Sequence, residues 1–254
     1  MATIFPILWY NDSCRNCQIM WNGGWLSVDK PMFNTKMVRT LRMNPKLILN
    51  VIYSFFLNLF HSIRSFYRFR VFADFGSTIT RGSGARLIID RRLYLGGKYI
   101  GDMVHSKSSV RMYRDSVFHV MGRVKLGPGV GIVTGPGAML SIGDNTYITA
   151  SSVVYCANRI TIGRDCAIAW NTTILDTDFH HIHYPDDTEN ELVKPVQIGD
   201  HVWIGCNCTV LKGVTIGDNA VIGANTLVNK NVPPNCLAVG NPMRIIREDV
   251  EWKA

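Results

Sequence analysis

From Ile198 onward the chain repeats with a period of six. Ile198, Ile204, Val210, Ile216, Ile222 and Val228 are aliphatic with no slip in register. Four places after each stand Val202, Cys208, Val214, Ala220, Thr226 and Val232, all small or apolar. A helix shows an apolar stripe of period 3.6 and a half-buried strand alternates by two. A period of six, with a Gly, Asp or Asn turn signal returning in nearly every unit, fits neither. It fits short flat strands joined by tight corners and stacked on copies of themselves, three hexads to a triangular coil. The six-fold aliphatic then points inward and the small residue fills the space beside it. Buried main-chain groups pair with the next coil, about 4.8 Å away, and outward positions are free to carry chemistry. The expected class is mainly β, a parallel hexapeptide-repeat solenoid.

The same pattern extends upstream less regularly. Ile142-Gly143-Asp144-Asn145 and Ile162-Gly163-Arg164-Asp165 restate the start of a hexad. Their separation of twenty rather than eighteen predicts a two-residue bulge or loop in that coil. Between Phe72 and Leu126, short alternating runs such as Arg86 to Ile89, Leu93 to Leu95 and Val110 to Tyr113 read as irregular early coils. Downstream, Ile162, Ile168 and Ile174 keep the period, and Ile198 follows Ile162 two coil lengths later. The break falls at 180–197, a polar segment with Pro185 and Pro195 that reads as a loop thrown out from the coil. Loops on a rigid scaffold are where function concentrates, and His180, His181 and His183 all lie here.

Ahead of the coils, residues 1–40 read as irregular, with Trp9, Trp21 and Trp25 among Asn and Gly. A helix is predicted next. Asn44 suits its cap and Pro45 its first position, and Arg64, Arg68 and Arg70 fall at its C-terminal end. Leu47 to Phe60 is almost wholly apolar, yet Asn50, Ser54, Asn58, His61 and Ser65 recur at helical spacing as one narrow polar stripe. The run is too short and interrupted to span a bilayer. Two arrangements fit: packing against the solenoid or a subunit, or peripheral membrane contact through residues 45–70. The division expected is an N-terminal segment 1–71, a β-helix domain 72–247 with its loop at 180–197, and a tail 248–254.

Composition narrows the partners. The 254 residues are 47% hydrophobic and 18% charged, with a net charge of +8. That charge suits an anionic partner, but no nucleic-acid signature is present, so no nucleic acid is expected. The cysteine count is odd, seven, and five of them sit in or beside hexads where small residues belong. This reads as reduced thiols in a cytoplasmic protein. Cys14 and Cys17 form a lone CxxC, for which an N-terminal loop is the plainer reading than zinc, and no signal-peptide pattern is visible.

Within residues 140 to 247 the motifs become specific. Val202 to Gly205 reads VWIG, Gly213 to Ala224 reads GVTIGDNAVIGA, and Asn229-Lys230-Asn231-Val232-Pro233-Pro234 precedes Gly240-Asn241-Pro242, Arg244 and Arg247. In order and spacing these resemble the hexapeptide-repeat acyltransferases with a left-handed β-helix, in particular the maltose, galactoside and surface-polysaccharide O-acetyltransferases. The left hand comes from the resemblance alone, since right-handed crossovers are the rule. The resemblance implies acetyl-CoA as co-substrate, no metal, and an O-acetyltransferase of a sugar or lipid-linked saccharide, plausibly for a surface polysaccharide. It also implies a homotrimer with active sites between adjacent prisms.

The site residues follow from the same resemblance. His180, ending the run Asp176-Thr177-Asp178-Phe179-His180, matches the general base that removes the acceptor's proton, a role natural to a histidine. Asp178 and Asp176 are candidates to orient the imidazole or hold substrate hydroxyls. The main-chain N–H of Cys206 matches the donor to the thioester oxygen. Trp203 would wall the site, Ala224 would admit the pantetheine arm, and Asn229, Lys230 and Arg247 would meet the polyanionic cofactor, with Arg244 a weaker candidate. The acceptor-binding position falls near Thr149. Alternatives are an N-acetyltransferase of an amino sugar, a serine O-acetyltransferase, or a non-catalytic scaffold. A zinc site from His180, His181, His183 and His201, as in carbonic anhydrases of this fold, leaves the cofactor motifs unexplained.

Overall fold

The computed structural model describes residues 8–9, 16–21, 24–29, 45–61, 70–96 and 106–253. From Val71 the chain winds through three sheets in rotation. Trp203–Ile204, Thr209–Val210 and Thr215–Ile216 lie in three different sheets, and Val221–Ile222 returns over Trp203–Ile204 in parallel register. The sheets, of nine, seven and six strands, form the first, second and third faces of a prism. Its class is the left-handed parallel β-helix. All six aliphatic residues of the hexad register, and all six residues four places on, are buried. Each coil therefore contributes three inward aliphatics to one continuous core, and its strand edges are satisfied by the coils above and below.

Corners explain why so many Asn and Asp occur. Asn145, Asp165, His201, Asn219 and Asn235 stack at the corner between third and first faces, each with φ between 53° and 60°. Short polar side chains tolerate this left-handed conformation because they bond locally. Here the bonds run up the corner: Asn145 Nδ2 donates to Asp165 Oδ1 (2.8 Å) and Asn219 Nδ2 to Asn235 Oδ1 (3.1 Å).

Early coils are wider than the hexad register. Strands Ser109–Met112, Gly131–Thr134 and Val153–Cys156 stack with four residues each instead of two. Ile142 pairs with Ile162 directly, and the two extra residues lie in the four-residue strand Val153–Cys156, ahead of a corner at Ala157 and Asn158. The buried carboxylate of Asp176 holds that corner, accepting the N–H groups of Ala157 (2.6 Å), Asn158 (2.8 Å) and Arg159 (2.8 Å).

The helix, α1, spans Pro45–His61. It lies over the end of the coil, with Asn50, Ser54 and Asn58 of the polar stripe turned toward the protein. Asn58 Oδ1 accepts the N–H groups of Arg70 and Val71, both at 2.9 Å, and its Nδ2 donates to the Val71 carbonyl at 2.7 Å. Ser54 Oγ accepts the N–H of Ala73 (2.9 Å), and Asn50 bonds Asp74 and the N–H of Phe75. The Tyr53 hydroxyl donates to the Ser77 carbonyl. Among the described residues the strand Val71–Ala73 has no coil before it, and these side chains take the place of one. Asn44, Arg64, Ser65 and Arg68 lie outside the described residues, as does Cys14.

Residues 1–40 differ from the irregular reading. Leu8–Trp9, Asn16–Trp21 and Gly24–Asp29 form a three-stranded antiparallel sheet in which Trp21 pairs with Gly24. The signal is Asn22-Gly23 between two runs containing β-formers, a strong short-range hairpin pattern.

Candidate active site

Between Leu175 on the second face and Val196 on the third, the chain leaves the coil. The excursion is an antiparallel hairpin, bridged at Thr177↔Val193 and His183↔Glu189. Asp178 N–H donates to the Leu192 carbonyl at 3.0 Å and Asn190 N–H to the Ile182 carbonyl at 3.1 Å. At the tip, Tyr184 N–H reaches the Thr188 carbonyl (2.9 Å), and Asp186 Oδ1 accepts the Thr188 hydroxyl at 2.6 Å, holding that carboxyl below its ordinary pKa. Glu189 clamps two imidazoles, His181 Nδ1 at 3.0 Å and His183 Nδ1 at 2.9 Å.

His180 is exposed at the base of this hairpin. Its carbonyl accepts Asn190 Nδ2 at 3.3 Å, while its imidazole has no hydrogen-bond partner among the described residues. The residue before it, Phe179, has φ of 62°, unusual for a bulky side chain. Two contacts hold it there: its N–H donates to Thr177 Oγ1 at 3.0 Å, and its ring packs edge-on against Tyr155 with centroids 4.7 Å apart. These contacts hold Phe179 in its strained conformation at the base of the hairpin.

Asp178 is engaged elsewhere than the imidazole. Lys212 Nζ approaches its Oδ2 at 2.9 Å and Asn190 Nδ2 donates to the same oxygen at 2.8 Å. Both lower its pKa, Lys212 foremost. Lys212 also donates to the Glu191 carbonyl, so one lysine of the next coil's corner ties both arms of the hairpin. Sequence reasoning did not single it out. The available signal was a lysine in VLKGVT at a corner bordering the excursion.

Two of the expected acceptor contacts are corrected. Asp176 is buried, with both oxygens taken by backbone N–H groups. Thr149 is buried as well, and its hydroxyl donates to the Ile168 carbonyl at 3.1 Å. Neither is open to a ligand.

A second cluster stands at the corner between first and second faces. The carbonyl of Cys206 accepts Asn225 N–H (2.9 Å), while its own N–H donates to no acceptor among the described residues. Ala224 is exposed on the next coil. Gly205 is required here: a Cβ would stand 2.6 Å from the Ala224 nitrogen. The Cys206 thiol is half-buried, whereas burial pushes that of Cys166 up to about 11 and that of Cys156 higher. Trp203 is exposed on the first face, its ring centroid 6.1 Å from that of Trp252. Trp252 itself stacks over His201 at 4.2 Å and donates to the His201 carbonyl at 2.7 Å, so the C-terminal segment folds back over the coil.

Asn229 and Lys230 are exposed at the corner above Lys212. Arg244 and Arg247 are exposed on the strand Arg244–Arg247, antiparallel to Leu237–Val239. Within one chain, then, His180 shares its corner with Lys212 and Lys230, while Cys206, Ala224, Trp203 and Arg247 belong to another corner and the first face. Among the described residues, no group of three or more His, Cys, Asp or Glu is placed to hold a metal ion.

Residues 195–230 match the bacterial transferase hexapeptide family, six repeats. The chain is 42% identical over 123 residues to a polysialic acid O-acetyltransferase of Escherichia coli O1:K1 / APEC, covering 48% of this chain and 40% of that protein. It is 39% identical over 134 residues to nodulation protein L of Rhizobium meliloti, covering 49% and 70%. To the galactoside O-acetyltransferase of Escherichia coli K12 it is 41% identical over 113 residues, covering 44% and 55%. The chain thus spans less than two thirds of the first and third of these relatives.

Proposed function

Because the chain belongs to the bacterial hexapeptide-repeat transferases, we propose that it transfers an acetyl group from acetyl-CoA to a saccharide hydroxyl, with His180 as general base. The observation that carries this is an exposed imidazole with no hydrogen-bond partner among the described residues, on a hairpin tied by Lys212 and Asn190. The names of the relatives supply the reaction class: a polysialic acid O-acetyltransferase and a galactoside O-acetyltransferase.

In this reading His180 accepts the hydroxyl proton as the acceptor oxygen attacks the thioester carbonyl. The N–H of Cys206 donates to the oxygen that becomes negative, and His180 returns its proton to the departing thiolate. No acyl-enzyme forms, and the Cys206 thiol takes no part. Asn229, Lys230 and Arg247 meet the anionic cofactor, and Trp203 and Ala224 line the path of its arm. Because one prism keeps His180 and Cys206 at different corners, the working unit is a homotrimer, one protomer's hairpin facing its neighbour's Cys206 corner. Residues 72–247 are its catalytic unit, working in the cytoplasm on a free or lipid-linked saccharide of a surface polysaccharide.

The test is release of free thiol from acetyl-CoA by the purified chain against sialylated and galactosyl saccharides, amino sugars and serine. A rate that depends on a saccharide hydroxyl supports the assignment. A rate only with an amine acceptor makes it an N-acetyltransferase, and absence of coenzyme A binding refutes the enzyme reading.

A further inference from the structure

An amphipathic helix of a globular protein normally turns its apolar stripe to the core. Helix α1 buries Leu57 in the core and packs Tyr53 against it, but otherwise turns its polar side chains inward. Asn50, Ser54 and Asn58 face the first coil, and their side chains are committed to its edge. On the opposite side Leu49, Ile52 and Phe56 are 53%, 42% and 40% exposed. Spaced at i, i+3 and i+7, they form one stripe. The helix cannot roll to bury that stripe without stripping Val71 and Ala73 of their hydrogen bonds.

Charge indicates what meets this stripe. Residues 1–126 hold nineteen of the 27 Lys and Arg and six of the 19 Asp and Glu. Residues 127–254 hold the remaining eight and thirteen. Among the described residues, 70–96 and 106–126 hold ten Lys and Arg against three Asp and Glu, so the prism is basic at the end carrying α1 and acidic beyond, with Arg81, Arg86 and Arg111 exposed in the coils nearest the helix. An apolar helical face beside a concentrated positive field matches a surface that is apolar beneath and negative above. At 17 residues α1 is short for a span, and no helix among the described residues is long and apolar enough to cross a membrane.

We propose that α1 docks the protein on an anionic lipid bilayer, lying in the interface with Leu49, Ile52 and Phe56 inserted and the basic coils against the headgroups. The polar stripe that caps the solenoid is what orients the apolar stripe outward. This inference does not rest on the acetyl-transfer reading.

The full chain is tested by flotation with vesicles of phosphatidylcholine alone and of phosphatidylcholine with one-third phosphatidylglycerol. Wild type floats with the anionic vesicles, less with the neutral ones, and less at high salt. The double variants Ile52→Ser/Phe56→Ser and Ile52→Glu/Phe56→Glu lose binding roughly tenfold or more. Their circular dichroism and thermal midpoint stay at wild-type values, because both side chains are exposed. Equal flotation of wild type and the serine variant overturns the proposal, as does equal binding to neutral and anionic vesicles. So does a wild type that ignores both vesicles and whose oligomer falls apart in the serine variant, since the stripe would then join copies of the chain.

Discussion

Asp176 shows how a residue's role can be misread from a motif and recovered from parity. In the run Asp176-Thr177-Asp178-Phe179-His180 both acids precede the proposed base, and either looks available to it. But Ile174 points inward, and along a strand every second residue shares a face. Asp176 must therefore point inward too, where it accepts three N–H groups at the corner after Cys156. Replacing it by Ala leaves those donors buried and unmet. Asp176→Ala should lower unfolding free energy by about 3 kcal/mol, read from chemical denaturation, whereas substrate contact without a structural role predicts wild-type stability. Ile198 and its successors were legible for the opposite reason: repetition averages over local ambiguity, and one six-fold pattern assigns every inward position at once. The proposed role of the Cys206 N–H rests on a motif alone, since a backbone donor carries no side-chain signature.

At the scale of elements, the sequence showed where the coil breaks and where a helix lies, but not which way either faces. The segment 180–197 has the composition of a loop, and yet it is a hairpin because Glu189, Asn190 and Lys212 tie it across its width. Such ties join residues far apart in sequence, so no local pattern predicts them. Asp178 is the titrating member. Its pKa is lowered in the folded state, so its stabilisation is fully present above its ordinary value near 4 and fades as pH falls through the lower folded value. The thermal midpoint of Asp178→Asn should lie below wild type at neutral pH, and the two should converge in strong acid. A constant gap down to the lowest pH would show that the Lys212 pair does not hold the hairpin. The helix is a parallel case. Its polar stripe was visible, but stripes are usually taken as solvent-facing, and this one is a substitute for a missing coil. Asn58→Leu keeps the size and removes the bonds to Arg70 and Val71; it should cost about 2 kcal/mol. Hydrogen exchange should locate the loss in the strand Val71–Ala73. Unchanged protection there would mean the helix does not cap the solenoid.

For the molecule as a whole, the solenoid separates tasks along its axis and around its faces. The end bearing α1 is basic and presents an apolar stripe. The later coils carry His180 on an ordered hairpin at one corner and the Cys206 turn at another. One chain does not close that gap, which is why the homotrimer belongs to the proposed mechanism. The most direct measurement compares thiol release from acetyl-CoA by wild type and His180→Ala, with coenzyme A binding measured separately on both. The account predicts that the variant binds coenzyme A as wild type does, while its turnover with the accepted saccharide falls by about 10² to 10⁴. A variant that keeps its turnover would contradict it and leave His180 outside the chemistry.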